Sequence, residues 1–324
     1  MTATDGGANR QGRLVALTGA TGFIGRHLAR ELPRRGYRVR VLLRRPVEAP
    51  FEFGSAVIGD ITRPQNLSAA LADVDAVIHT AGLAHAMSGV PADDYRLLNT
   101  EATIRLAQAA ERAGVKRFVF LSSVRAQAGP SAEAILTEDM EPAPTDDYGR
   151  SKLAAEEGIA GLAVDWVALR LVLTYGPGVA GNMARLIALA RAPVPLPFGA
   201  LHAERSILAL DNLAAAIDCV LTHPAPLRRP LLVADPAPVT LPHMIAAMRQ
   251  GLGRSPLLFP LPSRLLTRGL GWAGRQEFAE RLMSPLVVRT TALQGLGWTP
   301  AVTSEEALAA MMRQDAASAG VAQG

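Results

Sequence analysis

Short apolar runs alternate with helix-like segments through the first half of the chain. The runs are rich in Val, Ile, Leu and Phe, and they predict strands at Leu14–Thr18, Val39–Leu43, Ala56–Ile58, Ala76–His79, Phe118–Leu121 and Trp166–Leu173. Apolar residues at helical spacing predict helices between them, at Phe23–Arg35, Gln65–Ala72, Asp93–Ala113 and Tyr148–Gly161. Alternating strands and helices are typical of βαβ units, and near-continuous apolar strands are typical of a parallel sheet covered on both faces. The pattern therefore predicts an α/β fold around a doubly wound parallel sheet.

The pattern changes after Tyr175, where prolines become dense and the apolar segments become shorter. This half predicts strands at Ser206–Leu210 and Pro230–Val233, and helices at Asn212–Leu221, Leu241–Gln250 and Glu305–Met312. We expect residues 13–175 to form the main domain, with residues 206–235 returning to it. We expect residues 176–205 and 236–315 to form a smaller C-terminal lobe. The small and polar termini, residues 1–12 and 316–324, are expected to be flexible.

The composition is that of a globular protein. The chain has 324 residues, of which 49% are hydrophobic and 19% are charged, so it can bury a sizeable core and divide into about two domains. Disordered and collagen-like chains are excluded. Cys219 is the only cysteine, which excludes a disulfide scaffold within the chain. The sequence also predicts no metal site.

The formal net charge of +4 does not indicate a nucleic-acid partner. The 33 basic residues are scattered among acids, and all of them are arginines except Lys116 and Lys152. No block of about five or six like charges is present, as a nucleic-acid arm would show. No apolar run is long enough to predict a membrane span, and Met1–Gly12 lacks the apolar segment of a secretory signal. These features favour a soluble, cytoplasmic protein.

Three glycines spaced three apart follow the first predicted strand, in the segment LVALTGATGFIG. A dinucleotide-binding loop must turn tightly, let a pyrophosphate approach the backbone, and let the next helix pack close to the strand. Glycines meet these needs, and a helix N-terminus favours the anion. The alternative is a glycine-rich turn without a ligand. The motif predicts that a dinucleotide lies against Gly19, Thr21, Gly22, Phe23, Ile24 and Gly25.

The second predicted strand ends in Leu42-Leu43-Arg44-Arg45, without an acid. An acid at this distance from the glycine loop would bind the ribose hydroxyls of NAD, whereas an arginine accommodates the 2′-phosphate of NADP. Arg44 and Arg45 therefore favour NADP over NAD as the cofactor. The alternative is that both arginines are simply solvated at the end of a strand.

Tyr148 and Lys152 are four residues apart and share one face of a predicted helix. A free phenol has a pKa of about 10 and is a poor base at neutral pH. A neighbouring ammonium lowers that pKa, so that the phenol can exchange a proton with a substrate hydroxyl. In a chain that otherwise uses arginine, a lysine here indicates chemistry that arginine cannot perform.

The glycine spacing and the segment TGATGFIG resemble the extended branch of the short-chain dehydrogenase/reductase superfamily. That branch includes nucleotide-sugar epimerases, dehydratases and ketoreductases, so the resemblance implies a Rossmann-like main domain and a C-terminal substrate-binding lobe. It implies that Ser123 supplies the catalytic hydroxyl beside Tyr148 and Lys152, while Ser122 is a strand-end serine and Asn99 is mostly structural. It also implies further cofactor contacts at Asp60, Ile61, Ala81 and Gly82, and at Tyr148 and Lys152 themselves.

Two segments of the second half, Thr174–Asn182 and Pro195–Asn212, resemble bacterial UDP-sugar enzymes of surface-polysaccharide synthesis, which include 4-epimerases and 4-ketoreductases. The resemblance implies that Arg205 contacts the diphosphate of a UDP-sugar, because a planar guanidinium suits phosphate oxygens. It places Asn182 toward the substrate; the alternative is an N-cap for a helix starting at Met183. Arg125 stands where 4-epimerases have a small hydroxyl residue near the sugar, and is a candidate substrate contact.

The chain also departs from the UDP-galactose 4-epimerase pattern. Val124–Gln127 stands where the family has Val-Tyr-Gly, Leu173 replaces an asparagine, and Ala84 replaces a lysine beside the nicotinamide. His85, near the same turn, is a candidate for a substrate role, although an isolated histidine is more often structural. The departures leave the fold and the hydride chemistry expected, and argue against strict UDP-galactose epimerase activity.

Three functions stay open on the sequence. The first is an NAD(P)-dependent oxidoreductase or epimerase acting at C4 of a UDP-sugar. The second is an NADP-dependent ketone reductase of the same superfamily with a non-nucleotide substrate, and the third is a non-enzymatic, nucleotide-sensing protein that keeps the fold. The family resemblance also implies a homodimer formed through the helices near 93–113 and 148–161.

Overall fold

The computed structural model describes most of the chain. The described residues are 10, 12–47, 54–63, 66–83, 89–262, 265–266 and 284–321. Their strands are β1 (Leu14–Thr18), β2 (Arg38–Leu43), β3 (Ser55–Val57), β4 (Ala76–His79), β5 (Arg117–Ser123), β6 (Asp165–Leu171), β7 (Leu173–Tyr175), β8 (Glu204–Arg205), β9 (Ile207–Ala209), β10 (Arg229–Val233) and β11 (Val239–Thr240).

The helices alternate with the strands in the first half and dominate the second. They are α1 (Phe23–Arg34), α2 (Ala92–Tyr95), α3 (Ala102–Arg112), α4 (Asp147–Ala160), α5 (Gly181–Arg191), α6 (Leu210–Thr222), α7 (Leu241–Gly251), α8 (Thr291–Gln294) and α9 (Ser304–Val321). A π-helical segment, Arg96–Glu101, joins α2 to α3. Within the described part of the chain, no helix is long and apolar enough to cross a bilayer.

Seven strands form one sheet in the order β10-β6-β5-β4-β1-β2-β3, and every pair in it is parallel. Side chains of a strand point alternately to the two faces, so that Val15 and Leu17 pack into one core while Leu14 and Ala16 pack into the other. Helices α1 and α6 cover the first face, and α3 and α4 cover the second. The predicted doubly wound α/β fold is confirmed.

A third core lies among α5, α7 and α9, outside the large sheet. Two small sheets accompany it: β7 pairs with β9 in parallel, and β8 pairs with β11 in antiparallel. From the segment 206–235, β10 joins the large sheet beside β6, whereas β9 does not. The predicted domain boundaries stay a proposal.

Most of the predicted elements are confirmed within two residues of their ends, but four predictions are wrong in part. The helix predicted at Glu305–Met312 continues to Val321 as α9. The predicted helix at Gln65–Ala72 is not formed by its described residues, which make turns; Leu67 and Leu71 are buried there, which explains the helix-like spacing. The predicted helix at Asp93–Ala113 is interrupted by the π-helical segment. The predicted strand Trp166–Leu173 divides at Val172, because β7 leaves the large sheet to pair with β9.

Candidate active site

The carboxyl ends of the parallel strands bring the predicted site residues to one edge of the sheet. Gly19 follows β1, Arg44 follows β2, and Ala81 lies two residues beyond β4. Ser123 is the last residue of β5, which pairs with β4. These residues are far apart in the sequence, and the order of the strands in the sheet brings them to the same edge.

The glycine loop between β1 and α1 has the geometry that a dinucleotide needs. Gly19 has a φ of +71°, a backbone conformation that residues with a side chain rarely adopt. Its carbonyl accepts a hydrogen bond from the Gly22 amide at 2.9 Å. A Cβ on Gly25 would lie 2.6 Å from the Gly19 carbonyl carbon and 2.8 Å from the Ala20 Cα. Gly22 caps α1 without a side-chain hydrogen bond, so no side chain of the cap occupies the helix N-terminus. Thr21 is exposed, and Phe23 and Ile24 pack against the core.

The predicted adenine-side residues lie around the end of β2. Arg44 and Arg45 are both exposed there. The Asp60 carboxylate accepts hydrogen bonds from the Thr62 amide at 3.0 Å and the Thr62 hydroxyl at 2.8 Å. These bonds, with a smaller contribution from Arg44, hold the pKa of Asp60 below its usual value. Ile61 packs partly against the core on the α3 side of the sheet.

The turn after β4 is held against the helices by Asn99. The Asn99 Oδ1 accepts a hydrogen bond from the Leu83 amide at 2.8 Å, and its Nδ2 donates to Ser151 Oγ at 3.1 Å. Asn99 is fully buried and lies in the π-helical segment. A Cβ on Gly82 would lie 2.9 Å from Asn99 Oδ1 and 3.5 Å from Lys152 Nζ. A side chain at position 82 would therefore displace Asn99, whose hydrogen bonds hold the turn.

Ser123, Tyr148 and Lys152 converge at the end of β5. Tyr148 and Lys152 lie on α4, with Lys152 Nζ 6.0 Å from the centre of the Tyr148 ring. The Tyr148 hydroxyl is hydrogen-bonded to the Ser123 side chain. Lys152 Nζ donates to the Leu121 carbonyl at 2.9 Å and lies 4.6 Å from the centre of the Phe120 ring. The ring face attracts the ammonium.

Burial shifts both ionisable groups of this trio. Desolvation lowers the pKa of Lys152 to about 8, and Glu156, one turn along α4, acts in the opposite direction. Desolvation raises the pKa of Tyr148, while the Ser123 hydrogen bond and the Arg125 charge lower it. The lysine is thus poised near neutrality, where it can hold or release a proton.

A buried polar network lies beneath the trio. Arg170 on β6 donates to both carboxylate oxygens of Glu156, at 3.1 Å through Nε and at 2.6 Å through Nη2. Ser122 also donates to Glu156, and Arg170 Nη1 donates to the Gln127 side chain. All four side chains are buried. The network ties β5, β6 and α4 together at the level of Lys152.

Arg125 and Arg205 lie close enough for the Arg125 charge to lower the pKa of Arg205, although burial is the larger cause. Arg205 on β8 donates to the Ser284 carbonyl at 2.5 Å and to the Pro130 carbonyl at 3.1 Å. Arg125 forms an ion pair with Asp146, the N-cap residue of α4. Arg125 thus joins the turn after β5 to the start of α4, and Arg205 lies within reach of its charge.

Asn182 is exposed and is the second residue of α5. The N-cap of α5 is Ala180, because the helix begins at Gly181. The alternative prediction of an N-cap at Asn182 is therefore wrong, and its substrate role stays a prediction. Ala84 and His85 lie outside the described residues. Among the residues that the structure describes, no group of three or more His, Cys, Asp and Glu side chains could hold a metal ion.

Three residues of this region were missed by sequence reasoning, although each left a signal. Asp146 stands directly before a helical run, where an N-cap is expected. Glu156 lies four residues after Lys152, on the same helix face. Arg170 interrupts the apolar strand Trp166–Leu171, and a charge inside a buried strand requires a partner.

Comparisons with known proteins show the family of the chain. The profile of the NAD dependent epimerase/dehydratase family matches residues 15–232. A UDP-glucose 4-epimerase from Vibrio cholerae is 32% identical over 316 residues, which cover 93% of this chain and 94% of that protein. A ceramide reductase from Caulobacter vibrioides is 31% identical over 207 residues, which cover 63% of this chain and 59% of that protein.

Solved structures share the whole fold. MoeE5 in complex with UDP-glucose and NAD is 26% identical and has a TM-score of 0.70, with 94% of this chain and 99% of that chain covered. A UDP-glucuronic acid 4-epimerase from Bacillus cereus in complex with NAD has a TM-score of 0.72 at 21% identity, with 92% of this chain and 95% of that chain covered. This second likeness shows the fold alone.

Proposed function

The chain belongs to the NAD dependent epimerase/dehydratase family, and we propose that it transfers a hydride at C4 of a UDP-linked sugar, as a 4-epimerase or a 4-ketoreductase. The observation that carries the proposal is the convergence of Ser123, Tyr148 and Lys152 beside the glycine loop. It is supported by MoeE5, a structure that holds UDP-glucose and NAD, and by the UDP-glucose 4-epimerase relative.

The residues present fit a nicotinamide dinucleotide. The space beside Gly19 and Gly25 is closed to any Cβ, and α1 starts at Gly22 without a side-chain cap. We propose that this N-terminus binds the pyrophosphate, with Ala81 and Gly82 along the cofactor. When bound, the cofactor supplies the group that accepts or donates the hydride.

The chain's own residues would manage the proton. Tyr148 takes the proton of the sugar 4-hydroxyl when the carbon is oxidised, and returns it when the ketone is reduced. Ser123 orients the same oxygen through its hydroxyl. Lys152 stabilises the phenolate, because its ammonium lies 6.0 Å from the Tyr148 ring. Arginine could not replace it, since a guanidinium spreads its charge and is not deprotonated.

Arg205 is the proposed contact for the diphosphate. Two phosphates that leave water for a cleft need a fixed cation, and Arg205 is partly buried and lies within reach of the Arg125 charge. Its hydrogen bonds to the Ser284 and Pro130 carbonyls hold it in place. Asn182 is proposed to line the same cleft.

We further propose that the chain prefers NADP to NAD. Arg44 and Arg45 are exposed at the end of β2, and the residues Leu42 to Arg45 include no acid for the ribose hydroxyls. MoeE5 and the Bacillus cereus UDP-glucuronic acid 4-epimerase were solved in complex with NAD, so the preference for NADP is a property proposed for this chain. The homodimer, the cytoplasmic location and the role in polysaccharide synthesis also stay predictions.

The test is a product assay. Purified protein is incubated with UDP-sugars and with 4-keto-UDP-sugars, with and without NADPH, and the products are identified by mass spectrometry and chromatography. An epimerase converts a UDP-sugar into its C4 epimer without added NADPH. A ketoreductase consumes NADPH and the 4-keto-sugar.

A second candidate function is an NADP-dependent ketone reductase with a non-nucleotide substrate. The arginine pair after β2 and the likeness to a ceramide reductase favour it. In a thermal-shift assay such an enzyme is protected by NADP and not by UDP. Protection by both ligands favours the nucleotide-sugar function.

A further inference from the structure

Arg125, in the turn after β5, makes two contacts with the start of α4 and a third with Ser123 at the end of β5. The Arg125 guanidinium pairs with Asp146, and the Arg125 amide donates a hydrogen bond to Ser123 Oγ at 3.2 Å. The Arg125 carbonyl packs against Gly149, where an added Cβ would lie 3.0 Å from the carbonyl carbon. Arg125 therefore contacts Ser123, which carries one candidate catalytic hydroxyl. It also contacts Gly149, the neighbour of Tyr148, and Tyr148 carries the other hydroxyl.

Asp146 completes this link from the helix side. Its Oδ1 accepts a hydrogen bond from the Gly149 amide at 2.6 Å, while its Oδ2 pairs with Arg125. The side chains of the pair are 12% and 26% exposed, for Arg125 and Asp146 respectively. The neighbouring pair Arg150–Asp147 is 56% and 51% exposed, so solvent screens it far more.

The pair also sets the charge beside the phenol of Tyr148. Asp146 raises the pKa of Tyr148 and Arg125 lowers it, although desolvation is the largest influence. The two charges thus offset each other at this position. The other groups that face the phenol are Ser123 from β5, Tyr95 from α2 and Lys152 from α4.

We propose that Arg125 and Asp146 form a positioning pair, which fixes the Ser123 and Tyr148 hydroxyls relative to each other and balances the charge beside the phenol. This rests on the proposed function only in assuming that these two hydroxyls carry the reaction. It gives Arg125 a role that acts through its neighbours, in place of direct contact with the sugar. Because the two charges are opposite, loss of Arg125 should raise the pKa of Tyr148 and loss of Asp146 should lower it. A loss of packing would not produce shifts in opposite directions.

The experiment compares four variants by their pH profiles. Arg125→Gln removes the cation, and Asp146→Ser removes the anion while keeping a residue that caps helices well. The double variant removes both charges, and Arg125→Lys keeps the cation. Binding of NAD by each variant, measured by titration, checks that it is folded.

In the direction that needs the phenolate as a base, kcat/KM falls at low pH as Tyr148 becomes protonated. We expect Arg125→Gln to move this limb to higher pH, Asp146→Ser to move it to lower pH, and the double variant to return it toward wild type. We expect Arg125→Gln to lower kcat about ten- to a hundredfold through misplacement of the hydroxyls, with little change in the KM of the UDP-sugar. Arg125→Lys should keep the wild-type limb.

Two results would overturn the proposal. A higher KM in Arg125→Gln with an unmoved limb would mean that Arg125 contacts the substrate. Equal losses of kcat in Arg125→Gln and Asp146→Ser, with neither limb moved, would mean that the pair only supports the fold.

A substrate-free measurement separates this proposal from the proposed function. The ionisation of Tyr148 is followed by tyrosinate absorbance in the NAD-bound protein, with Tyr148→Phe as the blank. The positioning pair predicts opposite shifts in Arg125→Gln and Asp146→Ser. Those shifts are expected even if the protein converts no UDP-sugar. If the shifts are absent, the positioning pair is refuted, even if the protein does convert a UDP-sugar.

Discussion

The substitution Glu156→Gln tests whether the buried network beneath Lys152 holds the site together. Gln is nearly the same shape as Glu, so the change removes the charge with little change in packing. Arg170, whose side chain is 3% exposed, then keeps its charge without the carboxylate that now neutralises it. Removing one partner of a buried pair costs about 3–5 kcal/mol, because the other charge is left uncompensated.

The expected change in melting temperature follows from chain length. At about 2.1 cal/mol/K of unfolding entropy per residue, a chain of 324 residues loses about 1.5 °C of Tm for each kcal/mol. Glu156→Gln should therefore lower Tm by about 4–7 °C. The measurement is thermal unfolding followed by circular dichroism, with the free energy of unfolding checked in urea.

Glu157→Gln is the matched control, since it makes the same change one residue along α4 at an exposed position. It should alter the free energy of unfolding by no more than about 0.5 kcal/mol. A double variant with Arg170→Gln should lose less than the sum of the two single losses, because no charge is then left unpaired. Equal Tm values for Glu156→Gln and Glu157→Gln would refute the reasoning.

Three further predictions concern the ligands. Gly25→Ala should abolish cofactor binding in a fluorescence titration, because its Cβ would overlap the Gly19 backbone. Gly54→Ala is the control, since a Cβ there has open space and the backbone φ is not positive, as it is at Gly114. Equal cofactor affinities of the two variants would contradict the prediction. Arg44→Asp should reverse the preference from NADP to NAD, since it exchanges a phosphate partner for a ribose-hydroxyl partner, and tighter NAD binding by the wild type would contradict it. Arg205→Ala should raise the Kd of UDP-sugars about ten- to a hundredfold, because hydrogen bonds to charged groups contribute about 1.5–3 kcal/mol. The affinity for NADP should stay unchanged. An unaltered affinity for UDP would show that Arg205 does not bind the diphosphate.

The sequence predicted the fold because buried parallel strands leave a simple signal. Runs such as Leu14–Thr18 and Ala76–His79 match β1 and β4 at both ends. The Gln65–Ala72 prediction was wrong because two buried leucines one helical turn apart, Leu67 and Leu71, also fit a tight turn that packs on the sheet. Spacing alone cannot distinguish these cases.

The candidate trio could be found from its sequence motif, but its surroundings could not. The contacts of Arg125 with Asp146 and of Glu156 with Arg170 join residues 21 and 14 positions apart in the chain, and no local pattern specifies such pairs. Their side-chain types left hints, a charge in a strand and a capping residue before a helix. The partner of each became evident only from the strand order and the placement of α4 against β5.

The most direct test of the central claim traces a hydride at C4. A UDP-sugar labelled with deuterium at C4, or NADPH labelled at the transferred position with a 4-keto-UDP-sugar, is incubated with the wild type and with Tyr148→Phe. Mass spectrometry and NMR then locate the label in the product. The account predicts deuterium at C4 of a product whose C4 configuration is inverted, for an epimerase, or transfer of deuterium from the cofactor to the former 4-keto carbon, for a ketoreductase. It also predicts a loss of turnover of about 10²–10⁴-fold in Tyr148→Phe with cofactor binding retained. Label at another carbon, or a Tyr148→Phe variant that keeps most of the wild-type rate, would contradict it.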